Sequence, residues 1–239
     1  MNASLFQPQY GKVQHGTWAT LYRRQRDLLQ EKGAGLYLNA LDSMTSLTEL
    51  EIPRVDRMAE ELIEKTGWSL QIVPGLIPVD DFFALLAQRQ FCTSTWVRQP
   101  HQLDYLEEPD MFHDTFGHVP PLMNPDFAAF MQRFGEIGVA LQGQEQRVLE
   151  LQRLYWFFVE FGFVEERGVP LAFGAGIMSS HGETQHAWAL RDDLRKFSME
   201  GVMTTPFTTT EIQTTYFLID DISEVIRSLN HWFEGLQRD

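Results

Sequence analysis

Two histidines, His113 and His118, stand five residues apart in "HDTFGH", between the acidic stretch "EEPDM" and "VPP". Further along, Glu160 is the one charge in "LYWFFVEFGFV", Leu154 to Val164, where Tyr155, Trp156, Phe157, Phe158, Phe161 and Phe163 surround it. A carboxylate among so many rings needs a partner. Left unpaired in apolar surroundings it costs roughly several kcal/mol or keeps its proton. A metal ion is one partner and an arginine is another. Two imidazoles and one carboxylate are the donor set of facial sites that hold non-haem Fe(II) and leave positions open to water, oxygen and substrate. Zinc accepts the same ligands.

Spacing alone argues against a shared metal. In a straight α-helix five residues turn through about 500°, so the two imidazoles would point about 140° apart. The metalloprotease pattern sets its histidines four apart with a glutamate beside the first, whereas here the neighbour is Asp114. Gly117 and Pro120-Pro121 mark a helix end or a distortion in this segment, which would bring the rings together. The competing reading is two unrelated polar residues at a helix end.

The elements that must carry these groups are mostly helical. "TWATLYRRQRDLLQEKG", Thr17 to Gly33, has a Thr cap, apolar residues at Trp18, Leu21, Leu28 and Leu29, and a Gly stop. A second helix is predicted from Leu36 to Leu47, and a third between Pro53 and Gly67, the usual Pro-start and Gly-stop asymmetry. "WSLQIVPGLIP" reads as extended and "VDDFFALLAQRQF" as helical. Helices follow from Phe127 to Leu141, from Gln144 to Phe163 and from Asp221 to Leu236. "ERGVPLAFGAGIMSS" reads as turns, and the Thr- and aromatic-rich "FTTTEIQTTYFLID" as strands or a ribbon. The expected fold is a mainly α-helical single domain with short β segments (α+β). Residues 1–15 form an N-terminal arm, and residues 16–239 form one catalytic domain.

Composition narrows the classes. The 239 residues are 44% hydrophobic and 13% aromatic, ample for a large core. A net charge of −14, with no basic stripe, speaks against nucleic-acid binding. A lone Cys92 fits a reducing, cytoplasmic compartment. The N-terminus lacks a cationic leader before an apolar block, and no apolar run is long enough to span a membrane, so neither export nor a membrane partner is expected.

Three stretches in order, "EEPDMFHDTFGHVPPLMNPDFAAF", "LYWFFVEFG" and "FGAGIMSSHGE", closely resemble the pterin-dependent aromatic amino acid hydroxylases, nearest to the bacterial phenylalanine 4-monooxygenase branch. The resemblance runs from about His15 to Ile226 and is most specific from Val73 to Glu183. It implies the fold of that catalytic domain and iron held by His113, His118 and Glu160. It implies a tetrahydropterin, such as tetrahydrobiopterin, against Phe82 and Tyr155, with backbone groups of Gly75 and Ile77 meeting it. It implies an amino-acid pocket in which Arg98, braced by Asp110, clamps the substrate carboxylate and Trp156, Phe161 and Ser179 line the rest. A planar guanidinium fork suits a carboxylate. Val79 stands where some relatives have a hydroxyl residue, Leu106 where Thr is common, and His181 where Phe, Tyr or Lys is more usual.

The implied chemistry is hydroxylation of an aromatic ring with O2, Fe(II) and the pterin, in a pocket that keeps water away. Trp156 fits the phenylalanine- and tyrosine-using branches, and Thr209 decides nothing between them. The expected reaction is L-phenylalanine to L-tyrosine. The same chemistry on tyrosine or tryptophan stays open. So do a metal-dependent hydrolase at the same three ligands and a non-catalytic binder of aromatic ligands. Lack of a regulatory domain and of a tetramerisation helix, compared with animal relatives, leads to the expectation of a monomer with small-molecule partners only.

Overall fold

In the computed structural model, residues 6–104, 106 and 108–238 are described. Helices dominate where apolar residues recur every three or four positions. In α1 (Lys12–Leu29) these put Trp18, Leu21 and Leu29 inside. α2 is Gly35–Ser43. α3 (Val55–Thr66) buries Val55, Met58 and Leu62, and Gly67 ends it at φ 75°, a left-handed position that suits glycine. β1 (Ser69–Ile72), α4 (Val79–Ala87) and β2 (Gln90–Thr93) follow. Next come α5 (Val119–Leu122), α6 (Pro125–Ala140) and α7 (Glu145–Leu154). The start of α6 is fixed by Asn124, whose side chain accepts from the Asp126 and Phe127 N–H groups. Strands β3 (Phe163–Glu166) and β4 (Val169–Ala172) lead to α8 (Ala175–Ser179) and α9 (His181–Ala189). The chain closes with β5 (Arg195–Lys196), α10 (Met199–Thr204), β6 (Phe217–Ile219) and α11 (Ile222–Leu236), the last capped by Asp221.

The sheets are small. β1 and β2 pair in parallel, Ser69 opposite Gln90. The other sheet has the order β4-β3-β6-β5, with only β3–β4 antiparallel. Helices carry the core, which is rich in rings: Phe112 stacks on Phe116 at 4.7 Å, and Trp18 meets Phe112 edge-on at 5.2 Å.

The fold agrees with the expected class, a mainly helical domain with short strands, and corrects several boundaries. The first helix begins at Lys12, not Thr17, so the boundary between residues 15 and 16 falls inside it. Residues 6–11 are not a loose arm. Gln7 bonds the Pro53 carbonyl and the Val55 N–H, and the Tyr10 hydroxyl donates to the Thr95 carbonyl at 2.7 Å. Residues 1–5 lie outside the described residues. The second helix stops at Ser43, and Gln90-Phe91, expected as helix, begin β2 because pairing with β1 outweighs their local pattern. "GVPLAFGAGIMSS", expected as turns, contains β4 and α8, while "FTTTEIQTT" is irregular and only Phe217–Ile219 is strand. Among the described residues no helix is long and apolar enough to cross a membrane.

Candidate metal centre

Both segments that supply the metal-type ligands leave the α-helical register. His113–Gly117 is a π-helical turn that ends at His118, and Tyr155–Glu160 is a second one that continues α7. In the latter the Phe161 N–H bonds the Trp156 carbonyl at 3.0 Å, five residues back. A π turn holds more residues than an α turn, so groups five apart come onto one face. That removes the angular objection raised by the spacing of His113 and His118.

The donor atoms converge. His118 Nε2 lies 3.1 Å from His113 Nε2 and 3.1 Å from Glu160 Oε1. His113 Nε2 and Glu160 Oε2 are 3.7 Å apart, and one donor atom from each residue falls within 4.8 Å of the others. Neighbouring ligands at right angles, with metal–nitrogen lengths of about 2.1 Å, stand about 3 Å apart. Three donors at this spacing, on one side only, fit a single small cation and leave its other face to be filled from the cavity.

Protonation suits the same purpose. The Ser179 hydroxyl donates to the Ala175 carbonyl at 2.7 Å, so at 2.9 Å from His113 Nδ1 its oxygen accepts. The His113 proton therefore sits on Nδ1, and the Nε2 lone pair faces the centre. Burial lowers His113 to about 4, which keeps the ring neutral. Burial pushes Glu160 up, but its neighbours His118 and His113, with a hydrogen bond from Tyr155, outweigh it and bring it below its ordinary value. Neutral imidazole and ionised carboxylate are the forms that bind metals.

α8 is wedged between the two π turns. A Cβ on Gly174, just before α8, would lie 2.4 Å from the Glu160 carbonyl oxygen, and one on Gly117 would lie 2.9 Å from the Ala175 carbonyl oxygen. Side chains at either position would force the ligand-bearing segments apart.

A cavity of about 350 Å³ opens beside the three ligands. One wall comes from the loop after β1 and from α4, with Gly75, Ile77, Val79 and Phe82, and the Phe82 ring meets Tyr155 edge-on at 5.3 Å. Tyr155 and Trp156, from the second π turn, and Phe207 and Thr209, from the segment after α10, complete it. All four residues expected around the pterin thus line one space with the ligands.

The expected amino-acid pocket is brought together less directly. Trp156 lines the cavity, and Phe161 packs behind its indole at 4.7 Å. Arg98 and Asp110 form a buried two-pronged pair, Nε to Oδ2 at 3.0 Å and Nη2 to Oδ1 at 2.8 Å. Asp110 also accepts the Arg98 and His113 backbone N–H groups, tying the pair to the ligand turn. Arg98, Asp110, Phe161 and Ser179 are not among the residues that line this cavity. Ser179, expected to face the amino acid, is instead turned toward His113, because the Ala175 carbonyl and the imidazole hold its hydroxyl.

Some neighbours were not foreseen. Asp114 accepts the Ser94 backbone N–H at 2.7 Å, and burial raises its carboxyl to about 6. Phe91 packs on the His118 ring at 4.8 Å. Adjacency to His113 in the motif was the available signal for Asp114. Phe91 had none, since it meets His118 only through the β1–β2 pairing.

A family model for biopterin-dependent aromatic amino acid hydroxylases matches residues 2–239. The phenylalanine-4-hydroxylase of Caulobacter vibrioides is 43% identical over 216 residues, covering 89% of this chain and 72% of that protein. Human tyrosine 3-monooxygenase is 32% identical, over 96% of this chain and 44% of its own length. The crystal structure of Chromobacterium violaceum phenylalanine hydroxylase with bound iron(III) and 7,8-dihydrobiopterin matches with a TM-score of 0.89 and 37% identity, covering 100% of this chain and 88% of that one. With the family pattern running nearly end to end over a fold that gathers two histidines and a glutamate, this chain belongs to the biopterin-dependent aromatic amino acid hydroxylases.

Proposed function

We propose that the protein is a phenylalanine 4-monooxygenase, which hydroxylates L-phenylalanine to L-tyrosine with O2, holds Fe(2+) on His113, His118 and Glu160, and uses a tetrahydropterin as co-substrate. The observation that carries this reading is the convergence of those three donors beside a cavity walled by rings. The bacterial relatives that carry the name phenylalanine-4-hydroxylase, 39–43% identical over 89–91% of this chain, support the choice of substrate. The bound iron and dihydrobiopterin of the Chromobacterium structure support the choice of metal and co-substrate.

Iron and a tetrahydropterin, when bound, would supply the activation of O2. The chain's own residues do the rest. Phe82 and Tyr155 give the pterin ring a wall, and the Gly75 and Ile77 backbone meets its polar edge. Asp110 holds two guanidinium nitrogens of Arg98, and the remaining one, which bonds no other described residue, is offered to the amino acid carboxylate. Trp156, backed by Phe161, walls the side chain of the substrate. Ser179 acts on the pocket through His113, whose ring it orients. Rings on most sides keep water from the reacting atoms. We read the described chain as one catalytic unit to which residues 6–11 are docked, and the protein as a cytoplasmic monomer without nucleic-acid or membrane partners. The lone Cys92 and the charge of −14 support the compartment and the lack of nucleic acid.

The test is direct. Apo-protein is loaded with Fe(II) and given O2, tetrahydrobiopterin and each of phenylalanine, tyrosine and tryptophan in turn. Tyrosine formed from phenylalanine, and lost with Glu160→Ala, is the expected result. Product from tyrosine or tryptophan first would change the substrate. Turnover under nitrogen without pterin, as for a hydrolase, would overturn the reading.

A further inference from the structure

Gln213 is buried, 6% exposed, in the irregular segment that also brings Phe207 and Thr209 to the cavity. Its Oε1 accepts the indole N–H of Trp156 at 3.1 Å, and its Nε2 donates to the Thr215 carbonyl. The amide cannot be turned over, because its NH2 would then face the indole N–H, which only donates. The backbone is held as well: the Tyr216 hydroxyl donates to the Gln213 carbonyl at 2.7 Å, and the Glu183 carboxyl faces the Gln213 N–H. The indole that this amide grips touches two rings, Phe161 at 4.7 Å and Phe207 at 5.0 Å, the latter with planes 28° apart. Those ring contacts set the indole's height in the wall. They do not set its rotation about the ring normal, which a single directed hydrogen bond does set.

We propose that Gln213 is a positioning residue for the amino-acid pocket: it fixes the orientation of the Trp156 indole, and through it the placement of the substrate ring, so that pterin oxidation ends in hydroxylated amino acid. This rests on the reading of the cavity as an aromatic amino acid site. It gives the segment between α10 and β6 a task beyond covering the cavity, since one buried amide couples that segment to the second π turn.

A double-mutant cycle tests it, on the full chain loaded with Fe(II). Gln213→Met keeps the length of the side chain and removes both of its hydrogen bonds. It is expected to raise the KM for phenylalanine roughly three- to tenfold, the range of one lost hydrogen bond. Tyrosine formed per pterin oxidised should fall, while the KM for tetrahydrobiopterin stays within about twofold. In a Trp156→Phe background, which has no indole N–H to hold, Gln213→Met should add no further change. The hydrogen-bond-sensitive indole band in ultraviolet resonance Raman spectra gives a second readout. It should shift with Gln213→Met in the wild-type background and not in Trp156→Phe. Equal kinetic effects in both backgrounds, or a lowered Tm with unchanged KM and an unmoved indole band, would overturn the role. Should the wild-type protein hydroxylate no aromatic amino acid, the reading of the cavity fails. The Raman cycle then still decides whether Gln213 holds Trp156, and an unmoved band there counts against it.

Discussion

Arg98 is 5% exposed and Asp110 not at all, so each charge is tolerable only because the other is beside it. Replacing Arg98 by alanine leaves a carboxylate buried without its counter-charge, which costs about 3–5 kcal/mol in such pairs. The expected outcome of Arg98→Ala is therefore a large loss of stability together with loss of substrate affinity, and denaturant unfolding would register it. Arg98→Lys separates the two. It keeps the charge, loses the two-pronged fork, and should raise the KM for the amino acid about tenfold or more while losing less stability than alanine does. A lysine variant with unchanged KM would remove Arg98 from the carboxylate clamp. Ser179 makes the second case at this scale. Its oxygen is the acceptor that sets the His113 tautomer. Ser179→Ala should weaken iron binding about 10–100-fold, as outer partners of metal ligands typically do. Chelator competition measures this, and iron retention equal to wild type would show that the imidazole needs no such guide.

Two π turns and the short helix between them decide the centre at the level of elements. Residues five apart share a face only because His113–Gly117 is wound more loosely than an α-helix. The second turn, Tyr155–Glu160, aims Glu160 inward and sends Trp156 to the cavity wall. Gly174 lets the chain before α8 touch the carbonyl of Glu160. Its φ of −63° is open to any residue, so the reason for glycine there is space and not backbone freedom. Gly174→Ala should cost about 1–3 kcal/mol through overpacking and should also lower iron affinity, because Glu160 is what must move. Loss of stability with iron binding intact would mean that the strain is relieved elsewhere.

At the scale of the whole molecule, one buried carboxyl makes stability depend on pH. Burial raises the Glu183 carboxyl from its ordinary 4.5 to about 7. The folded chain then binds this proton more tightly than the unfolded chain does. The stability gained is full below about 4.5, declines as pH rises, and is gone once pH has passed through about 7. Between pH 5 and 8 the Tm of the wild-type apo-protein should fall relative to that of Glu183→Gln, which has no proton to lose. Parallel Tm profiles for the two would show that Glu183 titrates normally.

Much of this was legible in the chain itself. The 3.6-residue pattern marked α3, α6 and α11, with Pro53 and Gly67 bounding the first of them, because an amphipathic helix must bury its stripe wherever it lies. The lone carboxylate among rings marked Glu160, since apolar neighbours in sequence already raise the question of its partner. Strands β2 and β4 were hidden, because short segments are settled by the neighbour they pair with. The same limit hid Phe91 and Gln213: nothing in the neighbourhood of Gln213 says that its amide will meet the indole of Trp156. Residue types and local periodicity thus determined which groups had chemistry to offer and which helices would carry them. Tertiary structure alone decided which donors face one another, because a π turn, a glycine contact and a buried hydrogen bond each depend on what packs against the segment, and that partner lies far away along the chain.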